Sequence, residues 1–187
     1  MMRKKINRKS QVWISDYTLA MLLFIIAALI SVKIIINSFN ANTVFEELKD
    51  DAAKISEALL SEGYPIDWTN ASVIRPGLLT GKRLDQDKVL KAMNNSYLNY
   101  TVLRGKLQAK HDFLVIFQNR YEDMVEFNSQ LCKIGKPSLY INYTSVGGVI
   151  NCTAPDFTSI SYDNMAKLTR LSIYNSDIVR MVVYTWE

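Results

Sequence analysis

The sequence predicts an α+β protein in which a long N-terminal helix packs on a small antiparallel β-sheet. Two observations predict this class. The first 62 residues contain neither Pro nor Gly, so nothing in their composition stops a helix before Gly63. After residue 110, short runs rich in β-branched and aromatic residues alternate with turn signals, as in an antiparallel sheet.

The first half of the predicted helix is apolar on all sides. Twenty residues, Tyr17–Ile36, are interrupted only by Thr18, Ser31 and Lys33. This length matches what a helix needs to cross a hydrocarbon core of about 30 Å. Lys33 lies one turn from the end of the run, where its long side chain can reach the headgroups. The segment therefore predicts a transmembrane helix.

Charge predicts the orientation of this helix. Five of the 22 basic residues precede Asp16, the first acidic residue. They are Arg3, Lys4, Lys5, Arg8 and Lys9. The positive-inside bias then places the N-terminus in the cytoplasm and everything after about Asn37 outside, as a single-pass protein of the cell membrane. The alternative is a cleaved secretory signal peptide, but the apolar run is longer than usual and no A-x-A-like site follows it.

The second half of the helix is predicted to be amphipathic, because apolar residues recur every three or four positions. These are Val44, Leu48, Ala52, Ile55 and Leu59. A continuous helix Ser15–Ser61 would span roughly 70 Å, and Gly63 with Pro65 would end it. The predicted organisation is a cytoplasmic leader at 1–10, a transmembrane or assembly helix at 11–36, an amphipathic continuation at 37–62 and an extracytoplasmic head at 63–187.

The head is predicted to contain two short helices and four or five strands. Asp85 caps the first helix, and the second runs from Tyr97 to Gly105. A wrapped connection with one short strand near residues 64–68 precedes them. Residues Phe113–Phe117 are apolar on both faces and predict a central strand. Further strands are expected at Leu139–Tyr143, Val149–Cys152, Leu168–Tyr174 and Ile178–Trp186, the last two joined by a hairpin at Asn175-Ser176-Asp177.

The segment that leads into the apolar helix, RKSQVWISD at residues 8–16, resembles the class III signal of archaeal type IV pilins and their minor-pilin relatives. The resemblance implies that a prepilin peptidase cuts on the cytoplasmic side of the membrane and leaves the apolar helix in place. Lys9, Ser10 and Gln11 match the positions before, at and after such a cut. Ser10 stands where the family prefers Gly or Ala, and Asp16 is the sixth residue after the cut, where the family usually has an acid at the fifth.

This resemblance implies a cell-surface filament subunit or minor pilin. Its helices would bundle with those of other copies or other pilin subunits, and Asp16 would pair with a neighbour's new α-amine, because a carboxylate in hydrocarbon needs a partner. The alternative is a monomeric signal-anchored extracytoplasmic binding or accessory protein, which is not assembled. An exported enzyme is the third and weakest hypothesis.

The residues after the leader offer little for other functions. Without the five leading basic residues, 17 basic residues face 18 acidic ones, so we expect no nucleic acid at the head. His111 is the only histidine, which leaves catalysis and zinc binding without a motif. Gly147-Gly148 predicts a turn, and Asp50-Asp51 is expected on the solvent-facing side of the helix. We therefore expect no enzyme activity, no cofactor and no metal site.

Two modifications are compatible with an extracytoplasmic head. Cys132 and Cys152, the only cysteines, predict either one disulfide or two buried free thiols. The sequon N-x-S/T occurs five times, against about two expected by chance from 14 Asn and 25 Ser plus Thr. A glycosylated surface and a composition rich in Asn and Ser both explain this excess. The sequons are at Asn70, Asn94, Asn99, Asn142 and Asn151.

Overall fold

The computed structural model describes residues 8–127, 132–146 and 149–187. The chain forms two compact units, with the boundary between Thr43 and Val44. Helix α1, Arg8–Leu59, contributes residues to both units. The α+β class is confirmed at this level: an N-terminal apolar helix is followed by small antiparallel sheets. The predicted turn at Gly147-Gly148 lies outside the described residues.

The first unit consists, in its described part, of helix alone. Helix α1 begins at Arg8, seven residues before the predicted Ser15, and ends at Leu59. Its early start is physically reasonable because the basic residues Arg8 and Lys9 are good helix formers. The chain leaves the helical conformation completely at Gly63, whose φ of +78° is a left-handed value that glycine adopts without strain.

The second unit, Val44–Glu187, contains the end of α1, a second helix and all eight strands within the described ranges. Helix α2 is Gln86–Lys106. The strands are β1 Leu79–Thr80, β2 Arg83–Leu84, β3 Asp112–Gln118, β4 Ile134–Gly135, β5 Tyr140–Val146, β6 Val149–Asp156, β7 Met165–Tyr174 and β8 Asp177–Trp186. They form a four-stranded antiparallel sheet of order β4-β3-β8-β7 and two separate two-stranded sheets, β1-β2 and β5-β6.

Helix α2 replaces the two predicted short helices. Asp85 is its N-cap, as predicted, and the side chain accepts hydrogen bonds from the backbone N–H groups of Asp87 and Lys88. The two predicted helices run together, with a kink at Asn99, where φ is −142° and ψ is 54°. The predicted start of the second helix at Tyr97 therefore lies two residues before this kink.

The four-stranded sheet has one member that the sequence does not predict. Strand β3 is central, as expected, between β4 and β8. The strands predicted from Leu139 and from Val149 do form, but they pair only with each other. The edge position beside β3 belongs to β4, which is two residues long. A strand this short has no period-2 pattern to detect.

The β7–β8 hairpin agrees with its turn signal. Tyr174 pairs with Asp177, so Asn175 and Ser176 alone form the turn. Their φ values of 47° and 70° are both positive, which is the condition for a type I′ turn. This two-residue turn fixes the register of the ten-residue strands on either side of it.

Each face of the four-stranded sheet has its own hydrophobic core. The inner face packs with α1 and α2 around Ile55, Leu59, Phe113 and Met181, all fully or almost fully buried. The outer face is partly covered by the β5–β6 hairpin, the short 3-10 helix Phe157–Ser159 and the two cysteines. The second unit therefore has three layers, with the sheet in the middle.

In the connection between α1 and α2, the part that precedes β1 is held by buried polar contacts rather than by a strand. A single bridge, Tyr64 with Arg75, is what remains of the short strand predicted there. The indole of Trp68 is fully buried and donates to the carbonyl of Gly77 at 2.9 Å. The buried ammonium of Lys88 donates to the carbonyls of Glu62 and Leu79 at 2.9 and 2.7 Å.

Candidate functional site

The apolar part of α1 is the most distinctive surface of the chain. Within the described residues, one segment is long and apolar enough to cross a membrane: Ser15–Ile36, 22 residues with a mean hydropathy of 2.9. The most apolar stretch of this segment is not buried by the protein itself. The described part of the chain therefore carries one candidate membrane-spanning helix near its N-terminus. A signal sequence can also meet this criterion of length and composition.

The polar groups of this segment are arranged for an apolar environment. The Thr18 hydroxyl donates to the carbonyl of Ser15, and the Ser31 hydroxyl donates to the carbonyl of Ala27, each at 2.9 Å. Both hydroxyls are thus satisfied by the helix's own backbone, which removes the cost of placing them in hydrocarbon. Two charged residues remain, Asp16 at the start and Lys33 near the end, and both are exposed.

The residues expected to direct processing lie at the beginning of α1. The backbone of Lys9, Ser10 and Gln11 is helical. Their side chains lie outside what the structure describes. Asp16 follows more than one helical turn after Gln11, at the first turn of the apolar stretch.

The end of α1 belongs to the core of the second unit. Its predicted apolar stripe is confirmed for Leu48, Ala52, Ile55 and Leu59, which are all fully buried. The Thr185 hydroxyl of β8 donates to the carbonyl of Leu48 at 2.9 Å, in the interior of the helix. Hydrogen bonding and apolar burial together fix this part of α1 against the sheet.

The solvent-facing position predicted for Asp50-Asp51 is wrong for Asp51. Asp50 is exposed, but Asp51 is 1% exposed and accepts hydrogen bonds from the backbone N–H groups of Lys110 and His111, each at 2.9 Å. The imidazole of His111 lies 3.2 Å from the same carboxylate and 3.8 Å from Glu187. Asp51 replaces a solvent shell with backbone donors, which is how a buried carboxylate avoids a large desolvation cost.

A second polar cluster, centred on Asp112, joins α2 to the start of β3. Its carboxylate accepts hydrogen bonds from Tyr100 at 3.0 Å and from Arg104 at 3.4 Å, and pairs with Lys136. The Tyr100 oxygen also accepts from the N–H of Phe113 at 3.1 Å. Burial raises the pKa of the Tyr100 phenol, so the side chain stays a hydrogen-bond donor. The cluster therefore has a structural role, because it holds α2 against the start of β3.

Cys132 and Cys152 are joined in a disulfide, with their Cα atoms 6.3 Å apart. Both residues are buried in the outer core with Leu114 and Val182. The bond links β6 to the residue two positions before β4. It therefore secures the layer that covers the outer face of the sheet.

Next to the disulfide, Lys133 is held by backbone carbonyls. Its ammonium donates to the carbonyls of Lys136 and Pro137 at 2.9 and 3.1 Å, and to that of Leu139. Burial lowers the pKa of Lys133 to about 8, although these carbonyls favour the charged form. The side chain shapes the turn between β4 and β5.

The sequons fall into two groups. Asn70, Asn94 and Asn99 are exposed, and Asn99 occupies the kink of α2. Asn142 and Asn151 lie in β5 and β6. Their side chains lie outside what the structure describes. In the described ranges, no group of three or more His, Cys, Asp or Glu side chains is placed to hold a metal ion.

No protein-family model, no curated protein and no solved structure matches this chain. Function must therefore be inferred from the chain's own residues.

Three features of the second unit escaped sequence reasoning. The partners of Asp51 lie about 60 residues away in the chain, so no local pattern could reveal them. The partners of Asp112 are only 8 to 24 residues away, but they belong to α2 and to the residue after β4, so the polar residues that open an apolar strand are only a weak signal for this cluster. The third feature is a groove at one end of the sheet, formed by two turns that are distant in sequence.

Proposed function

We propose that the chain is a type IV pilin-like cell-surface subunit, held in the membrane by its N-terminal helix. The main support for this proposal is that two parts of one helix have different surroundings. Its segment Ser15–Ile36 is apolar and uncovered, whereas its last turns are buried in the core of the second unit. An apolar surface of this size needs lipid or other apolar helices around it in order to stay out of water.

The charges and modifications support an extracytoplasmic head. The basic cluster precedes the apolar stretch, which favours a cytoplasmic N-terminus. All five sequons follow the apolar stretch. A disulfide between Cys132 and Cys152 persists in an oxidising compartment and is rare in the cytosol. These observations agree on one orientation.

Asp16 is the residue with the clearest role in this proposal. After cleavage between Ser10 and Gln11, a new α-amine would start the mature chain. In a bundle of apolar helices, the Asp16 carboxylate of one copy would neutralise the α-amine of the next. Breaking one partner of a desolvated ion pair costs about 3 to 5 kcal/mol. Assembly would then depend on this single carboxylate.

Asp16→Asn tests this role, with Asp50→Asn as the matched control. Both changes remove one carboxylate from α1, but Asp50 is exposed and belongs to the second unit. We expect wild type and Asp50→Asn in the sheared-filament fraction, and Asp16→Asn only in the membrane fraction. Mass spectrometry of the native N-terminus should find Gln11 as the first residue.

An uncut N-terminus, together with wild type and Asp16→Asn both confined to membranes in equal amounts, would reject the pilin proposal. It would favour an anchored monomer instead. The orientation is tested separately by adding protease to intact cells or spheroplasts. We expect the head to be digested or shifted, and full protection behind a sealed membrane would contradict the topology.

A further inference from the structure

A concave groove lies at the end of the four-stranded sheet where the β7–β8 turn is, within the second unit. It has a volume of about 880 Å³, within the range of small-molecule sites. One wall is the loop after β3, with Asn119, Arg120 and Tyr121. The other wall is the β7–β8 turn, with Asn175 and Asp177.

The groove lies at the end of the second unit away from Val44. Along α1, Leu48 contacts Thr185 and Ser56 contacts Arg170. Arg170 pairs with Met181 in the sheet, so β8 runs antiparallel to α1, and its first residue, Asp177, lies beyond the level of Ser56. A ligand in the groove would therefore be bound on the side of this unit opposite to the point where the chain enters it.

The wall after β3 is held by hydrogen bonds and an ion pair. The Asn119 side-chain oxygen accepts hydrogen bonds from the N–H groups of Tyr121 and Asp123, at 2.8 and 3.0 Å, which closes the loop on itself. Arg180 of β8 ties the same loop to the sheet through Glu122 at 2.8 Å. Because this wall is already held in place, ordering it on ligand binding would cost little conformational entropy.

The apolar part of the groove is open to solvent. Tyr121, Leu171 and Ile178 are 65 to 67% exposed, although each is large and apolar. The core on the outer face covers Leu114, Val182 and their neighbours but does not include these three residues. The Arg120 guanidinium lies over one face of the Tyr121 ring, 4.5 Å from its centroid. The other face of that ring, with Leu171 and Ile178, forms a platform on which an apolar ligand face can pack.

The polar part consists of side chains with paired, coplanar hydrogen-bonding atoms. Five lining residues are Asn, Asp or Arg: Asn119, Arg120, Asn175, Asp177 and Arg180. Asn175 and Asp177 are exposed, and neither side chain is hydrogen-bonded to another residue in the described part of the chain. Paired atoms of this kind match two adjacent hydroxyl groups, and the exposed rings and alkyl groups match the C–H face of a pyranose.

We propose that this groove binds a neutral oligosaccharide. Tyr121 stacks on one pyranose ring, and Asn175 with Asp177 bonds its hydroxyl groups. A neutral ligand is favoured at the turn wall because Asp177 adds a negative charge there; of the two lining cations, Arg180 is paired with Glu122 and Arg120 lies over the Tyr121 ring. This inference depends on the second unit alone, so it stands whether or not the chain assembles into filaments.

The test uses the full-length chain, produced without N-glycans and dispersed in a zwitterionic detergent that has no sugar headgroup. The probes are immobilised maltotriose, cellotriose, mannotriose and galactotriose. We expect at least one to bind and to be displaced by the same sugar in solution. Tyr121→Ala and Asp177→Asn should each weaken that binding about tenfold or more.

Two matched variants outside the groove serve as controls. Tyr97 on α2 is 69% exposed, so Tyr97→Ala removes an equally exposed ring, and Asp163→Asn removes another exposed carboxylate. Both should bind like wild type. The proposal is overturned if no probe binds up to about 10 mM, or if Tyr121→Ala binds as tightly as Tyr97→Ala. Saturation-transfer NMR on the free trisaccharide provides the independent readout.

Discussion

The apolar segment Ser15–Ile36 and the segment Val44–Leu59 belong to the same helix but have opposite surroundings. In the first, the large apolar side chains are exposed, as Leu29 is at 65%. In the second, Leu48 and Ile55 are 0% exposed. The residues are chemically alike, so the difference lies in what covers them. The sheet covers the second segment, whereas nothing within its own compact unit covers the first.

This contrast explains why one helix can serve two purposes. Secondary structure depends mainly on local backbone preferences, which continue through both segments. Stability depends on where apolar surface is buried. The segment Val44–Leu59 is therefore part of the core of the second unit, so replacing its buried residues should destabilise that unit. Substitutions in the segment Ser15–Ile36 should instead change how much of the protein is found in the membrane or in filaments.

The strongest test of this contrast compares Ile55→Ala with Ile30→Ala, the same change in the two segments. Ile55 is 0% exposed and Ile30 is 56% exposed. We expect Ile55→Ala to lower the free energy of unfolding of the head by about 2 to 5 kcal/mol, because it leaves a cavity. Ile30→Ala should change it by less than about 0.5 kcal/mol. Denaturant unfolding in detergent micelles, followed by tryptophan fluorescence, measures both values, and similar values would contradict the contrast.

The disulfide provides the next largest expected effect and concerns the head alone. Replacing Cys132 and Cys152 with Ser opens a loop that joins residues 20 positions apart. The chain-entropy model gives a loss of about 3 kcal/mol in the free energy of unfolding. The amount of protein in the membrane fraction should not change.

A reducing agent should destabilise wild type but leave the double Ser variant unaffected, which provides the control. If a thiol reagent labels both cysteines of the native, unreduced protein, the disulfide is absent and the prediction fails.

The smallest expected effect separates two neighbouring carboxylates on α1. Asp51→Asn keeps the shape of the side chain but weakens two charge-assisted hydrogen bonds from the backbone at Lys110 and His111. We expect a loss of about 1 to 3 kcal/mol in the free energy of unfolding. Asp50→Asn, at an exposed position, should stay within about 0.5 kcal/mol of wild type. Equal losses would mean that Asp51 is not the buried acid.

Local signals in the sequence predicted much of the head. The cap at Asp85, the central strand β3 and the turn at Asn175-Ser176 follow from a capping side chain, an apolar run and residues that tolerate positive φ. Each of these is decided by a few neighbouring residues. The boundaries differ by a few residues because helix and strand ends respond to packing that comes from elsewhere.

The sequence by itself determined the apolar segment, its length and the stripe that continues it, because these depend only on the order of residues along one helix. Only the tertiary structure decided which strands share a sheet, that Asp51 lies under His111 and Lys110, and that two turns more than 50 residues apart face each other across a groove. The physical reason is that these features depend on contacts between segments far apart in the chain. Such contacts leave no periodic pattern in either segment, and their energies appear only once both segments are packed.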